Sequence, residues 1–227
     1  MNEAEFDKFA DEYHAQHARS IRLSGEEPDF FAQYKVAEMA RQVERAPAKI
    51  LDFGGGIGNS LGHLKAQFPQ SNVTLCDPSL RSLEIAKERF PTQGNFVQIT
   101  GLPLPFADHE FDLILAACVF HHIDPAEHGA IITELSRILA PGGSFFLFEH
   151  NPYNPLTRKA VSECEFDKDA ILVSSRQARR SLRGVSFRTV KTRFRIFFPR
   201  MLSALRFLEP ALGFLPIGGQ YFVQATK

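Results

Sequence analysis

The fold of this chain is decided by the stretch Lys49-Ile50-Leu51-Asp52-Phe53-Gly54-Gly55-Gly56-Ile57-Gly58-Asn59. Its apolar first half predicts a short buried strand, and its glycines predict a turn into a helix that starts near Asn59 or Ser60. The alternate glycines Gly54, Gly56 and Gly58 permit positive φ and place no Cβ between the backbone and a ligand. Free N–H groups at the start of the helix would point at whatever lies over the loop. The stretch therefore predicts a nucleotide-type cofactor site at the carboxyl end of a first strand.

The spacing of these glycines separates two kinds of cofactor site. The dinucleotide pattern G-x-G-x-x-G would need its third glycine at Asn59 or Leu61, and neither position has one. The pattern that fits is acidic-x-G-x-G-x-G, which begins at Asp52. In this form the stretch resembles the first motif of the class I S-adenosylmethionine-dependent methyltransferases. From the motif alone, an NAD(P)-dependent oxidoreductase with a Rossmann fold and a non-catalytic S-adenosylmethionine-binding protein stay open as alternatives.

Length and composition fit one α/β domain with an appendage. The 227 residues carry no net charge, so nothing global points to nucleic acid. No run reaches the roughly 18 to 20 apolar residues of a membrane span, and the first five residues lack an apolar signal core. The three cysteines are scattered without a CxxC motif, which is typical of reduced thiols. We therefore expect a cytoplasmic protein without a transmembrane segment.

Alternating patterns of strands and helices predict the core. Strands are expected at residues 49–53, 73–76, 95–99, 112–118 and 144–148, and helices at residues 60–67, 79–89 and 125–139. Apolar strands between helices are typical of a parallel sheet that is covered on both faces. A half-exposed strand at 187–198 and a final strand at 219–226 predict an antiparallel hairpin at one sheet edge.

The resemblance implies a Rossmann-like class I methyltransferase fold, with a mostly parallel seven-stranded sheet, an antiparallel C-terminal edge and helices on both faces. It implies a single domain over residues 1–227. A helical N-terminal lid would occupy residues 1–46, with helices at 3–17 and 31–45. The cofactor-binding core would occupy residues 47–150. Residues 151–227 would supply a substrate-side loop, a basic helix and the closing strands.

Further residues at strand ends complete the expected cofactor site. Asp77 ends the second strand, where an acid either accepts hydrogen bonds from a ribose diol or caps the next helix. Residues 100–106, with Phe111-Asp112, resemble the LPF…FD signature of the methyltransferases of ubiquinone and menaquinone biosynthesis. The resemblance implies S-adenosylmethionine as the cofactor, with S-adenosylhomocysteine as product. It implies these cofactor-binding residues: Asp52, Phe53, Gly54, Gly55, Gly56, Gly58, Asn59, Asp77, Pro78, Ser79, Gly101, Leu102, Ala117, Cys118 and, from the lid, Tyr13.

Three histidines at strand ends are the candidates for catalysis. His121 and His122 follow the fourth strand and His150 ends the next, so all three belong to one rim of the sheet. A histidine base has a pKa near the operating pH, and the alternative is a set of structural histidines. The rim also supplies the expected substrate-binding residues, which are Glu149, Asn151, Tyr153 and Asn154. No ligand spacing supports a metal site.

The acceptor is expected to be a small molecule that is methylated on O or N. Ten basic residues and no acid lie between Arg176 and Arg206, and residues 199–216 are apolar. Period-two spacing places Lys191, Arg193 and Arg195 on one face of their strand. These residues form either a solvated face or a site for an anionic partner, so the acceptor could be amphiphilic, phosphorylated or sugar-linked. Peripheral membrane contact or a homodimer stays open. No DNA partner is expected, because Asn151-Pro152-Tyr153 lacks the second proline of the NPPY motif and follows the wrong strand.

Overall fold

A computed structural model describes residues 19–185 and 187–227. The strands are β1 (Lys49–Phe53), β2 (Asn72–Asp77), β3 (Asn95–Gln98), β4 (Phe111–Ala117), β5 (Leu139–His150), β6 (Thr189–Arg195) and β7 (Gln220–Thr226). The helices are α1 (Pro28–Gln42), α2 (Leu61–Gln67), α3 (Leu80–Arg89), α4 (His128–Ile138), α5 (Pro155–Ser162), α6 (Ser175–Arg183) and α7 (Glu209–Leu212). The helix predicted at 3–17, and with it Tyr13, lies outside the described residues.

The seven strands form one sheet in the order β3-β2-β1-β4-β5-β7-β6. Strands β1 to β5 pair in parallel, whereas β7 is antiparallel to both of its neighbours, β5 and β6. The predicted mostly parallel sheet with an antiparallel C-terminal edge is therefore confirmed. The strand order reverses between β1 and β4, and in such sheets ligands bind at the carboxyl ends of the strands beside that reversal.

Helices cover both faces of the sheet, as predicted. On one face, Val36 and Met39 of α1 and Leu61 and Leu64 of α2 pack on apolar side chains of the central strands. On the other face, α4 and α6 bury their apolar residues against the opposite side of the same strands. Helix α1 starts three residues before the predicted position because Pro28 occupies its first turn, where a missing N–H has no cost. None of the helices in the described ranges is long and apolar enough to cross a bilayer.

The basic strand β6 differs from its expected form at one end. Lys191 and Arg193 are exposed, but Arg195 is only 5% exposed. Its guanidinium lies 2.6 Å from the carboxylate of Glu38 on α1. The prediction that Arg195 shares a solvated basic face with Lys191 and Arg193 is wrong, because α1 covers the end of the strand and supplies a buried acid.

Candidate active site

Gly54 and Gly56, in the loop after β1, are required for different reasons. Gly54 and Gly56 have φ of +69° and +52°, a conformation that residues other than glycine rarely adopt. A Cβ on Gly54 would lie 2.7 Å from Val119, so this glycine lets the loop pack on the chain after β4. A Cβ on Gly56 would meet nothing within 4 Å. Gly56 therefore faces open space, as a backbone that cradles a ligand must.

Asp77, at the end of β2, fixes this loop. One of its carboxylate oxygens accepts a hydrogen bond from the Gly56 N–H at 2.9 Å, and the other accepts one from the Ser79 N–H at 2.9 Å. The cap of α3 is Ser79, whose hydroxyl accepts from the Ser82 N–H. Asp77 is thus not the helix cap, and it lies where the loop and β2 face the same cleft.

The cleft over this loop has a volume of about 1280 Å³, including its open mouth. It is lined by most of the residues that the sequence assigned to the cofactor, namely Asp52, Gly54, Gly55, Gly56, Asn59, Asp77, Pro78, Ala117 and Cys118. All three candidate histidines line it too. The loop, the ends of β1, β2 and β4, and the histidines therefore surround one space.

Five other residues assigned to the cofactor do not line the cleft. Phe53 is fully buried in the core, and Ser79 caps α3. The Cβ position of Gly58 faces Ala86 and Phe90. Gly101 and Leu102 are exposed and stay outside the lining. Contacts from these five residues to the cofactor stay predictions.

Asp52 and Lys35 bring opposite charges into the wall of the cleft. Both side chains are buried, and Asp52 Oδ2 has no hydrogen-bond partner among the described residues. Burial, and the nearby carboxylate of Asp77, raise the pKa of Asp52 to about 7, although Lys35 opposes the shift. A buried acid with an unsatisfied oxygen is costly unless a ligand completes its hydrogen bonding.

The three candidate histidines form a cluster with two acids. His121 Nδ1 lies 2.6 Å from Glu149 Oε2, and Glu149 also accepts a hydrogen bond from the Phe120 N–H at 2.8 Å. On its other side, His121 Nε2 lies 3.4 Å from Asp167 Oδ1. His122 Nε2 lies 3.3 Å from the same oxygen. Asp167 belongs to the short 3₁₀ turn Glu165–Asp167, which brings this segment over the rim of the sheet.

The charges of this cluster depend on one another. Burial alone would lower the pKa of His121, but Glu149 and Asp167 raise it well above its usual range. Burial would raise the pKa of Glu149 and of Asp167, yet the neighbouring histidines hold both values below their usual range. Burial lowers the pKa of His122. His121 is therefore held in place by its two acids, and Glu149, which is fully buried, orients its ring.

Cys118 and His150 also line the cleft, and they are hydrogen-bonded to each other. Cys118 has a φ of +60°, which is uncommon for a residue other than glycine, at the position where the chain leaves β4. Burial would raise the pKa of the Cys118 thiol, but Lys35 and a hydrogen-bonded His150 bring it to about 7. His150 has a raised pKa because the charge and hydrogen bond of Cys118 outweigh the effect of burial.

A second cavity opens beside the cleft. Phe31, His150 and Gln220 line both spaces, so the two meet at the carboxyl end of β5. Most of its remaining lining is apolar, and includes Ile21, Leu156, Ala160, Ile196, Phe197 and Pro199. Gln220 is 6% exposed, and its side-chain oxygen has no partner among the described residues. A buried amide oxygen at this junction suits a ligand that can donate a hydrogen bond.

Asn151 and Asn154, in the loop after β5, make structural hydrogen bonds that the sequence does not predict. Asn151 is buried and donates to the carbonyls of Pro216 and Gly218, at 3.0 and 2.8 Å. Asn154 lines the second cavity, caps α5 and donates to the Ile217 carbonyl. Tyr153 is 66% exposed and lines neither space. Of the four residues predicted to bind substrate, Asn154 alone lines either of these two cavities; substrate contact by any of the four stays a prediction.

No pattern in the sequence indicates Lys35, Asp167 or Gln220 as a site residue. Lys35 lies within an otherwise ordinary helix, and Asp167 follows a loop without a motif. Gln220 stands out only afterwards, because the sheet register places it opposite His150. Each reaches the site through tertiary packing, for which local spacing carries no signal.

Comparisons with known proteins agree with this geometry. Residues 50–143 match the family model described as a methyltransferase domain. The chain is 34% identical over 113 residues to the demethylmenaquinone methyltransferase of Thermus thermophilus, covering 48% of this chain and 50% of that protein. It is 30% identical over 115 residues to the ubiquinone/menaquinone biosynthesis C-methyltransferase UbiE of Desulfotalea psychrophila, covering 50% of this chain and 46% of that one. The chain thus spans about half the length of the curated relatives it matches.

A solved structure extends the likeness to the whole fold. The chain superposes with a TM-score of 0.70 on a methyltransferase from Thermotoga maritima, described as a possible histamine N-methyltransferase. The match covers 99% of both chains at 21% sequence identity. At this identity the likeness shows the fold alone.

Proposed function

Because residues 50–143 of this chain form a class I S-adenosylmethionine-dependent methyltransferase domain, we propose that the chain methylates an amphiphilic small molecule whose polar head reaches His150 from the second cavity. The observation that carries the proposal is the junction of the two spaces at Phe31, His150 and Gln220. A cofactor held over the glycine loop and an acceptor held in the second cavity would meet there.

The residues of the cleft fit this cofactor. Gly56 leaves room over the loop, and Asp77 offers a carboxylate to the ribose. Asp52 supplies a carboxylate for the ammonium group of the cofactor's amino-acid end, and Lys35 supplies a positive charge for its carboxylate. S-adenosylmethionine supplies a methyl group on positively charged sulfur, so the protein mainly has to hold the reactants in line.

The second cavity supports an acceptor with an apolar body and a polar head. Its apolar lining favours a hydrocarbon chain or ring, and the buried oxygen of Gln220 favours a head that carries a hydroxyl or an N–H. A hydroxyl or amine must lose a proton on methylation, and His122 and His150 stay the candidates to take it. The names of the curated relatives favour carbon methylation of a quinol ring as a second form of the same reaction.

A panel of acceptors tests this proposal. The protein is incubated with methyl-labelled S-adenosylmethionine and, in separate reactions, a short-chain demethylated quinol, a hydrophobic phenol, a hydrophobic amine and phosphoethanolamine. Mass spectrometry then locates the label on O, N or C. We expect turnover with an amphiphilic hydroxyl compound or quinol and little with phosphoethanolamine, which lacks an apolar body.

A matched pair of variants locates the acceptor. Ala160 lines the second cavity, and Lys159, its neighbour on α5, is exposed outside it. Ala160→Trp should fill the cavity and lower turnover on the order of a hundredfold, because displaced reactants lose their alignment. Lys159→Trp should leave turnover unchanged, and both variants should bind S-adenosylhomocysteine like the wild type in calorimetry. Equal turnover of the two variants would refute the placement of the acceptor.

A further inference from the structure

We propose that His121, His150 and Asp167 bind one divalent transition-metal ion, of which Zn²⁺ fits best. One ligand-type atom from each of the three side chains lies within 4.8 Å of the others. The His121 and His150 rings have centroids 5.2 Å apart, and His121 Nε2 lies 3.4 Å from Asp167 Oδ1. Two imidazoles and one carboxylate are a ligand set that zinc uses at sites with an open position.

The support around His121 is that of a metal ligand. Glu149 is fully buried and lies 2.6 Å from His121 Nδ1, so the Nδ1–H group donates a hydrogen bond to the carboxylate. Nε2, the nitrogen that faces Asp167, then keeps a lone pair when the ring is neutral. Metal-binding histidines nearly always donate their second N–H to such a partner, which fixes the ring and strengthens the ligand.

The distances require only a small closure. Around zinc, ligand atoms at about 2.1 Å from the ion lie roughly 3.4 Å from one another. The His121–Asp167 pair already has that spacing, and the widest pair has to close by about 1.4 Å from its limit of 4.8 Å. Asp167 lies on a 3₁₀ turn of three residues, outside the helices and the strands of the sheet.

The site also explains why the sequence predicts no metal. His121 follows β4, His150 ends β5 and Asp167 lies beyond α5, so no two ligands share a short motif. His121, His150 and Asp167 all line the cofactor cleft. The role of the ion rests on the proposed function: its open position would hold the polar head of the acceptor. With His150 bound to the ion, His122 would be the remaining candidate base.

Metal binding is measured on the untagged chain, because a histidine tag would itself bind the ions. The protein is stripped with a chelator, titrated with Co²⁺ while the visible absorption of the ion is followed, and then titrated with Zn²⁺ in competition with a chromophoric chelator. We expect one equivalent of each ion to bind, with a Zn²⁺ Kd below about 10 μM. The Co²⁺ spectrum should be that of a four- or five-coordinate site.

Asp167→Asn should weaken Zn²⁺ binding at least about tenfold, and Glu149→Gln should weaken it by a similar factor through His121. The matched control is Asp29→Asn, which removes the acid of the exposed pair between His63 and Asp29, 2.8 Å apart. Calorimetry with S-adenosylhomocysteine, carried out without added metal, verifies that each variant is folded and binds the cofactor. A wild type without stoichiometric binding would overturn the proposal and leave an ion-free network of histidines and acids. Equal affinities of wild type and Asp167→Asn would also overturn it.

Discussion

Asp52 combines complete burial with an oxygen that has no partner among the described residues, and its pKa of about 7 makes it sensitive to pH. Binding of a ligand ammonium requires the carboxylate form. We therefore expect the affinity for S-adenosylhomocysteine to fall about tenfold from pH 8 to pH 6, as the fraction of ionised Asp52 falls. Calorimetry at both pH values measures this, and Asp52→Asn should bind weakly with a much smaller dependence on pH.

The same residue affects stability with a defined sign. The pKa of Asp52 in the folded chain, about 7, lies above its ordinary value of 3.8, so between these values the folded state holds the extra proton. Its contribution to the free energy of unfolding therefore falls as pH rises from about 4 to about 7. In the ligand-free protein, Asp52→Asn should lose that part of the pH dependence. An unchanged pH profile of the variant, in both affinity and stability, would contradict the raised pKa.

Single residues differ in how far the sequence predicts them. Asp52 and Gly56 belong to one continuous motif, and the structure places both at the cleft. Phe53 belongs to the same motif, but the alternation of strand side chains turns it into the core. Lys35 and Asp167 have no local pattern, because a helix face and a distant turn bring them to the cleft.

Helix α1 and strand β6 are joined by an ion pair that the sequence did not reveal. Glu38 and Arg195 lie 2.6 Å apart, with side chains 4% and 6% exposed. Glu38→Gln should lower the free energy of unfolding by about 3 to 5 kcal/mol, because it leaves a buried guanidinium without its charge partner. Denaturant unfolding, monitored by circular dichroism, measures the loss.

Two further variants control for this effect. Glu84→Gln removes the acid of the exposed Arg81–Glu84 pair, 3.4 Å apart, and should cost less than about 1 kcal/mol. The double change Glu38→Leu with Arg195→Met should recover much of the lost stability, since apolar residues of similar volume fill the buried space and leave no unpaired charge in it. If Glu38→Gln costs no more than Glu84→Gln, the buried pair does not hold the two elements together.

At the level of elements, hydrophobic periodicity predicted the strands and helices of the core to within five residues, with the largest difference at the start of β5. Periodicity predicted that Arg195 is exposed, whereas its side chain is buried. Period-two spacing identifies the two faces of a strand, but it does not tell which element covers the end of the strand. The pairing of Gln220 with His150 depends on β7 entering the sheet between β5 and β6, which only the topology provides.

Over the whole molecule, several large apolar side chains are exposed in the stretch 201–217. Met201, Phe207, Phe214 and Ile217 are 90%, 75%, 72% and 63% exposed, and we call these four the apolar rim. Exposed basic residues, including Arg193 and Arg200, are close to it in the chain. An apolar rim with positive charges nearby fits an anionic membrane surface, and we propose that the chain contacts one there.

Vesicle sedimentation tests the membrane contact. Replacing Phe207 and Ile217 by Ser should weaken binding to anionic vesicles at least about tenfold, because each burial of a large side chain contributes roughly 1.5 to 3 kcal/mol. Added salt should weaken the wild type as well. Leu80→Ser, at a side chain that is 49% exposed on α3, should bind like the wild type. Binding that is indifferent to the double variant would contradict the contact.

Strand β7 follows β6 in the chain and yet lies between β5 and β6 in the sheet. During translation at about 5 to 20 residues per second, Gln220 is added about one to five seconds after Arg195. Until then β6 lacks its partner, and the backbone of β5 beside Phe146 and Phe148 has no strand on that side. The charges of Lys191 and Arg193 discourage β6 from pairing with a wrong strand meanwhile. The strand that joins β5 and β6 is thus the last strand of the sheet to be made.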